Sequence, residues 1–475
     1  MDLHLVTSMA LPEAILAIGS LLILVFGGFR GDKGALSISA LCGAALIAAA
    51  AAALFDASGQ LFSGSFVVDK VAVFAKVAIY IAGVFVIALG QGYFDRTGGM
   101  RFEFPVLVTL ALLGMSIMIS AGDLIAMYIG IEMQSLAMYV LAGFRRDDAK
   151  SSEAGLKYFV LGALSSGLLL YGASLVYGFT GAMNFHDIAV AASQHTGVGL
   201  IFGLVFLMCG IAFKISAAPF HMWTPDVYEG APTPMVAFAA GAPKFAAVVL
   251  FARILQSGFG SVAEQWQQVL LVISVLSFVI GGLGGLMQKD FKRLLAYSSI
   301  ANMGYALLAV AAGVAGIAPL LMFFVLYMVD NMGLFSAQMA LSRNGQPITR
   351  IDQFAGLARQ NAPLAIAITM LALSVLGMPP FGGFWGKFFV FGAAIKAGLW
   401  GFAAAGLVAS VIAAFYYLRI IKLMWFDAPG EAMDKAPREA SWIAYAAAAF
   451  SFPAVILFLI LAWPVAQNAA QSFGL

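Results

Sequence analysis

Five ionisable side chains, Glu132, Lys157, Lys214, Lys244 and Lys387, interrupt stretches that are otherwise apolar. Their settings are MYIGIEMQSLAMYVL, SSEAGLKYFVLGA, GIAFKISAAPFHMW, AAGAPKFAAVVLF and GGFWGKFFVF. A charge in such surroundings is costly, so each residue is a functional candidate by default. Desolvation disfavours a buried ammonium and a neighbouring carboxylate favours it. A lysine balanced between the two can take up and release a proton. A series of such groups joined by water makes a proton relay.

Plainer readings compete with this one. Lys76 reads as a lysine snorkelling from near a helix end. Glu132 either belongs to the relay or only neutralises Lys214; in both cases the two are expected to pair. Asp330, beside Asn331 in FVLYMVDNMGLF, reads as a satisfied polar contact between helices rather than a relay group. His221 is either a relay group or a cap on a broken helix. Lys244 is expected to hand protons from one half of the chain to the other. Lys387 is expected to be the last group before the outside.

The elements that must position these residues are membrane helices. Of the 475 residues, 62% are hydrophobic and 10% charged. A span takes about 20 mostly apolar residues. Apolar windows fall at roughly 5–29, 34–55, 71–94, 102–120, 122–144, 153–180, 197–228, 233–256, 266–288, 291–313, 316–342, 362–395, 399–426 and 440–464. The expected fold is therefore an all-α polytopic membrane protein of about 14 spans. Residues 1–475 form one membrane domain, without an appended soluble one. This excludes a water-soluble enzyme, a disordered chain and a nucleic-acid binder. Runs of 18–25 apolar residues lack the alternation of an outer-membrane barrel.

Two spans carry breaks. The seventh holds Pro219, Pro225, Pro232 and Pro234 around KISAAPFHMWTPDVYEGAPTP, and the twelfth holds Pro379, Pro380, Gly382, Gly383 and Gly386. Proline removes a helical donor and glycine loosens the backbone. Such backbone persists at membrane depth only inside protein or beside a wet cavity. The shared core, Pro219-Phe220…Trp223 and Pro380-Phe381…Trp385, recurs after 161 residues and five spans. An odd number of spans inverts the second copy. Spans 4–8 (101–257) and 9–13 (265–426) therefore read as inverted five-helix repeats. Spans 1–3 (1–100) precede them and span 14 (440–464) follows. The Gly and Ala enrichment, including GGLGG at 281–285, reads as close helix packing.

Orientation follows from the basic residues. The loops after odd-numbered spans, with the adjoining helix ends, hold seventeen of the 25 Lys and Arg, against three on the other side, Lys70, Arg253 and Lys396. That asymmetry places the odd-to-even loops in the cytoplasm and both termini on the periplasmic side. The start, MDLHLVTSMALPE, lacks the basic region of a cleavable signal. Cys42 and Cys209 sit inside apolar runs and read as small core residues. Four histidines and no CxxC pair offer no haem, iron–sulfur or metal ligand set.

Several motifs together resemble a known family. They are GDLIAMYIGIEMQSLAMYVLAGFRRD at 122–147, SSEAGLKYFVLGALSSGLLLYGASLVYGFTG at 151–181, KISAAPFHMWTPDVYEGAPTP at 214–234, KRLLAYSSIANMGY at 292–305 and GMPPFGGFWGKFFVF at 377–391. Over essentially the whole chain they are similar to the subunit N family of the proton-translocating NADH–quinone oxidoreductase, respiratory complex I, whose mitochondrial counterpart is subunit 2. Sister antiporter-like subunits and Mrp-type cation/proton antiporters tend to read WLPDAHxxAPTP, with a histidine in the eighth helix. Here WTPDVYEGAPTP and Lys244 stand instead, and Lys387 replaces the twelfth-helix glutamate usual in subunit M.

The resemblance implies fourteen helices with inverted repeats, and a polar axis of Glu132, Lys157, Lys214, Lys244 and Lys387. It implies no cofactor in this chain, with flavin and iron–sulfur clusters in other subunits. The expected partners are the lipid bilayer and the other membrane-arm subunits, sister antiporter-like subunits included. The expected function is proton translocation driven by NADH oxidation and quinone reduction elsewhere in the complex. A subunit of an Mrp-type antiporter is the alternative, and a membrane scaffold a third reading. The expected location is a bacterial plasma (inner) membrane. No family role transfers to Asp330, which falls where the family usually has an apolar residue.

Overall fold

In a computed structural model, residues 9–55, 58–195 and 197–473 are described. His4 and the first residues of the 5–29 span lie outside them. The helices are α1 (Leu11–Arg30), α2 (Ala35–Leu54), α3 (Lys70–Thr97), α4 (Glu103–Ser120), α5 (Leu124–Ala142), α6 (Ala149–Thr180) and α7 (Phe185–Gln194). They continue with α8 (Val198–Lys214), α9 (Trp223–Gly230), α10 (Thr233–Ala240), α11 (Ala242–Arg253), α12 (Ala263–Leu286), α13 (Phe291–Ala311) and α14 (Ile317–Met339). The last are α15 (Leu357–Gln360), α16 (Ala362–Leu376), α17 (Gly382–Lys396), α18 (Trp400–Phe426), α19 (Arg438–Ala449) and α20 (Val455–Gln471). A short antiparallel hairpin pairs Gly59–Leu61 with Phe66–Val68.

Among the described residues, twelve helical stretches are long and apolar enough to cross a membrane; α8 and α16 are shorter apolar helices. The chain is a multi-pass membrane protein. Aspartates mark where several helices begin. Asp69, Asp123, Asp148 and Asp290 each accept a main-chain N–H in the first turn of α3, α5, α6 and α13. Each satisfies one of the main-chain donors that a helix start leaves without an internal partner.

Both expected breaks are present. α8 stops at Lys214, and α9 begins only at Trp223. α16 stops at Leu376 before Gly377 at φ 94°, and α17 begins at Gly382. Two further interruptions lie in segments read as continuous spans. The 233–256 segment is divided at Gly241, one residue before α11. The 440–464 segment carries a wide turn, Phe450–Ala454, around Pro453. Gly241-Ala242-Pro243 and Phe452-Pro453 are the local causes, because proline cannot donate into the preceding turn.

The chain divides into two compact units, Met1–Ile215 with Ala242–Leu270 and Ala466–Leu475, and Ser216–Gly241 with Leu271–Val465. Three of the four boundaries inside the chain fall at an interruption or a proline: after α8, at Gly241, and beside Pro464 inside the last helix.

In the first unit α4 and α5 meet backbone to backbone. A Cβ on Gly114 would lie 2.5 Å from the Gln134 nitrogen, and one on Gly130 would lie 2.7 Å from that of Met118. Small residues permit this approach, and dispersion contacts then hold the pair where lipid gives no hydrophobic drive. Arg253, at the end of α11, donates to both carboxylate oxygens of Asp69 at 2.8 and 3.1 Å. That bidentate pair fixes α11 to the start of α3.

In the second unit two recognisable motifs lock together. Arg293 lies 2.6 Å from Asp226 and 3.2 Å from Glu229, and Lys292 donates to the Ala231 carbonyl at 2.8 Å. The PDVYEGAP stretch is thus clamped onto the start of α13. Gly281 of the GGLGG run would place a Cβ 2.4 Å from the Ala301 nitrogen, so the run serves helix packing as expected.

Candidate functional site

The first unit gathers its polar groups around the end of α8. Lys214 is the last helical residue and is 5% exposed. The carbonyls at a helix C-terminus carry partial negative charge, which suits a cation. Beyond it Ser216 takes φ 63°, a left-handed conformation that ends the helix. The ammonium donates to Ser135 Oγ at 2.8 Å, Tyr139 Oη at 3.3 Å and Ser166 Oγ at 3.4 Å. Ser166 in turn donates to Glu132 Oε1. The expected Glu132–Lys214 pair is therefore joined through one hydroxyl.

That arrangement has chemical consequences. A serine hydroxyl can accept and donate at once. Ser166 can receive a proton from Lys214 on its lone pair while passing its own to Glu132. Ser135 and Tyr139 lie on α5 with Glu132, three and seven residues on, so one helix face presents the acid and two of the lysine's acceptors.

The other expected residues are placed differently. Lys157 stands on α6 with its side chain 41% exposed and pairs with Glu153, one turn earlier, at 2.7 Å. The hydroxyl link runs through Ser166 of the same helix and does not pass through that pair. Lys244 is fully buried in the first turn of α11, just after the Gly241 break, and α11 packs against α3, α4 and α8. His221 is half-buried between α8 and α9; its main-chain carbonyl accepts from Thr224 N–H at 2.9 Å, closing a turn at the start of α9.

Lys76 departs from expectation. It does not snorkel: it is wholly buried, 2.7 Å from Glu13 of α1. Ser116 donates to the same carboxylate oxygen and accepts from Tyr80 at 2.6 Å. The pairing joins α1, α3 and α4, and its distant partner, 63 residues upstream, is what a local reading of Lys76 could not supply.

In the second unit Lys387 is 5% exposed and caps α16. It donates to the carbonyls of Val375 at 3.0 Å and Leu376 at 2.9 Å, and to Ser410 Oγ at 3.0 Å. Its ammonium sits 4.8 Å from the centre of the Tyr305 ring. Asp330 is a satisfied contact between helices, as expected: it accepts from Ser374 Oγ at 2.6 Å and from Ser451.

The sequence reading missed Ser135, Tyr139, Ser166, Ser374, Ser410 and Ser451. A hydroxyl in an apolar helix commonly bonds its own backbone, so serine alone carries little signal. The usable clue is a serine one or two turns from an ionisable residue on the same apolar helix, as Ser135 is to Glu132.

Residues 121–413 match the family described as NADH:quinone oxidoreductase/Mrp antiporter, TM. The chain is 60% identical over 385 residues to the NADH-quinone oxidoreductase subunit N of Caulobacter sp. (strain K31), covering 79% of this chain and 80% of the relative. With the subunit N of Maricaulis maris (strain MCS10) it shares 50% identity over 98% of this chain and 97% of the relative. A chain of respiratory complex I from Thermus thermophilus with bound Aureothin superposes with a TM-score of 0.83 at 32% identity, covering 96% of this chain and 99% of that one.

Proposed function

The chain belongs to the NADH-quinone oxidoreductase subunit N family, and we propose that it moves protons through Glu132 and its buried lysines while NADH oxidation and quinone reduction proceed in other subunits of the complex. The observation that carries this is the Lys214–Ser166–Glu132 link, an ammonium and a carboxylate joined by a hydroxyl inside a membrane helix cluster. A packing contact needs no ionisable groups at that depth. A proton path needs groups of this kind within hydrogen-bond reach of one another.

Lys214 and Glu132 exchange a proton through Ser166 in the first unit. Lys244 receives it at the start of α11, and Lys387 delivers it toward the outside. His221 and Lys157 are further candidates for this path. The break beside Lys214 and that beside Lys387 give irregular backbone where water can enter. Flavin and iron–sulfur clusters belong to partner subunits, and the chain sits in a bacterial inner membrane with both termini on the periplasmic side. The 4–8 and 9–13 spans are inverted copies of one five-helix plan.

Purification of the tagged chain from its native membrane tests this reading. It predicts co-migration with flavin and iron–sulfur absorbance, and proton movement into liposomes on adding NADH and quinone. Co-migration with antiporter subunits alone, with cation–proton exchange that needs no NADH, would establish the Mrp-type alternative instead.

A further inference from the structure

Asp330 has no place in the path described so far, yet it is 1% exposed in the middle of α14. Its two oxygens accept from Ser374 on α16 and from Ser451 in the wide turn before α20. Ser374 Oγ also accepts from the Gly383 N–H, at 2.9 Å, in the first turn of α17. Three helices and a turn therefore converge on this carboxylate, beside the break that carries Lys387.

The geometry also brings the lysine close. A Cβ on Gly383 would stand 3.4 Å from Asp330 Oδ2. Lys387 follows Gly383 by four residues, one turn of α17, and so shares its face. Lys387 donates to the carbonyls of Val375 and Leu376, the residues next to Ser374. Hydroxyl donors stabilise a buried carboxylate but do not cancel its charge. Lys387 has a matching need. Main-chain carbonyls and the Tyr305 ring favour an ammonium, yet carry no full negative charge.

We propose that Asp330 is the counter-anion of Lys387, a positioning residue that lets this lysine hold a proton at membrane depth. The assignment rests on the reading of the chain as a proton path and extends it. The second unit then carries its own acid and base, as the first carries Glu132 and Lys214. Asp330 acts through the charge it sets beside the ammonium. Around Lys387 stand Tyr305 from α13, Asp330 from α14, the carbonyls of α16, and Ser410 from α18. Of these, Asp330 is the carboxyl group, whose ionised form carries a full negative charge.

The test uses the intact complex in liposomes, with NADH-driven proton pumping measured across pH. Asp330→Asn keeps the shape and removes the charge. It should lower pumping about fivefold and move the alkaline limb of the pH profile down by about one unit. Asp330→Glu should recover at least about half of the wild-type rate, because the carboxylate returns. Wild-type rate and pH profile in Asp330→Asn would overturn the proposal, as would an Asp330→Glu variant as impaired as the amide.

If Asp330→Asn fails to assemble, Asp330→Asn combined with Lys387→Met decides. A counter-ion role predicts that removing both charges restores assembly, since no lone buried ammonium remains. Continued failure of the double variant contradicts it. Lys214→Met, measured alongside, separates the two levels. Impaired pumping there with normal Asp330→Asn sinks only the Asp330 assignment; normal pumping in both sinks the proton-path reading itself.

Discussion

Lys214 and Lys387 each lie beside a broken span, but the groups that hold them differ in kind. Lys214 ends its helix and faces three hydroxyls, one of which also holds Glu132. Lys387 belongs to the helix after its break and caps the helix before it, with two carbonyls and one hydroxyl as acceptors. A hydroxyl can turn and donate when the amine is neutral; a carbonyl can only accept. On the proposed path, that difference suits the first lysine to exchange its proton and the second to retain one until its surroundings change. A break in a membrane helix is not one device: what it does depends on which backbone ends it exposes to the charge beside it.

Substitutions separate the two lysines. Lys387→Met should have the largest effect, lowering quinone-coupled turnover and proton pumping together by about tenfold or more, while NADH oxidation by the peripheral arm with an artificial acceptor persists. Normal pumping in liposomes would make Lys387 a packing residue. Glu132→Gln removes the acid but keeps an acceptor for Ser166, and pumping should fall about fivefold with assembly retained on native gels. Equal losses of pumping and of assembled complex would make Glu132 structural.

Ser166→Ala sharpens the comparison, since it cuts the one hydroxyl between acid and lysine. Losing a hydrogen bond to a charged group costs about 1.5–3 kcal/mol at most when water cannot replace it, so pumping should fall about threefold with water partly substituting. An unchanged rate would show that the link is bypassed. Glu153→Gln should have the smallest effect, less than about twofold in pumping, because it breaks only an exposed pair with Lys157. A larger loss would move Lys157 into the path.

Much of this was legible in the chain. The apolar windows located the helices because membrane helices leave long uniform signals. Pro219 and Pro380 marked both breaks. Other features were not legible for particular reasons. The break before Lys244 rests on Gly241 and Pro243, both common in membrane helices. The Glu13–Lys76 pair depends on how α1 meets α3, which no local pattern records. The serine that connects acid to lysine became visible only once α5, α6 and α8 were brought together.

The proposed proton path runs through Lys214 and the groups tied to it. The most direct measurement is the proton-to-electron ratio and turnover of the intact complex in liposomes, with Lys214→Met compared with wild type and assembly verified for both. Methionine keeps most of the side-chain volume and removes the titratable nitrogen. The account predicts that NADH-driven quinone reduction and proton translocation both fall about tenfold or more, because a coupled cycle stalls when its proton step is blocked. An assembled Lys214→Met complex that retains the wild-type ratio and rate would contradict it.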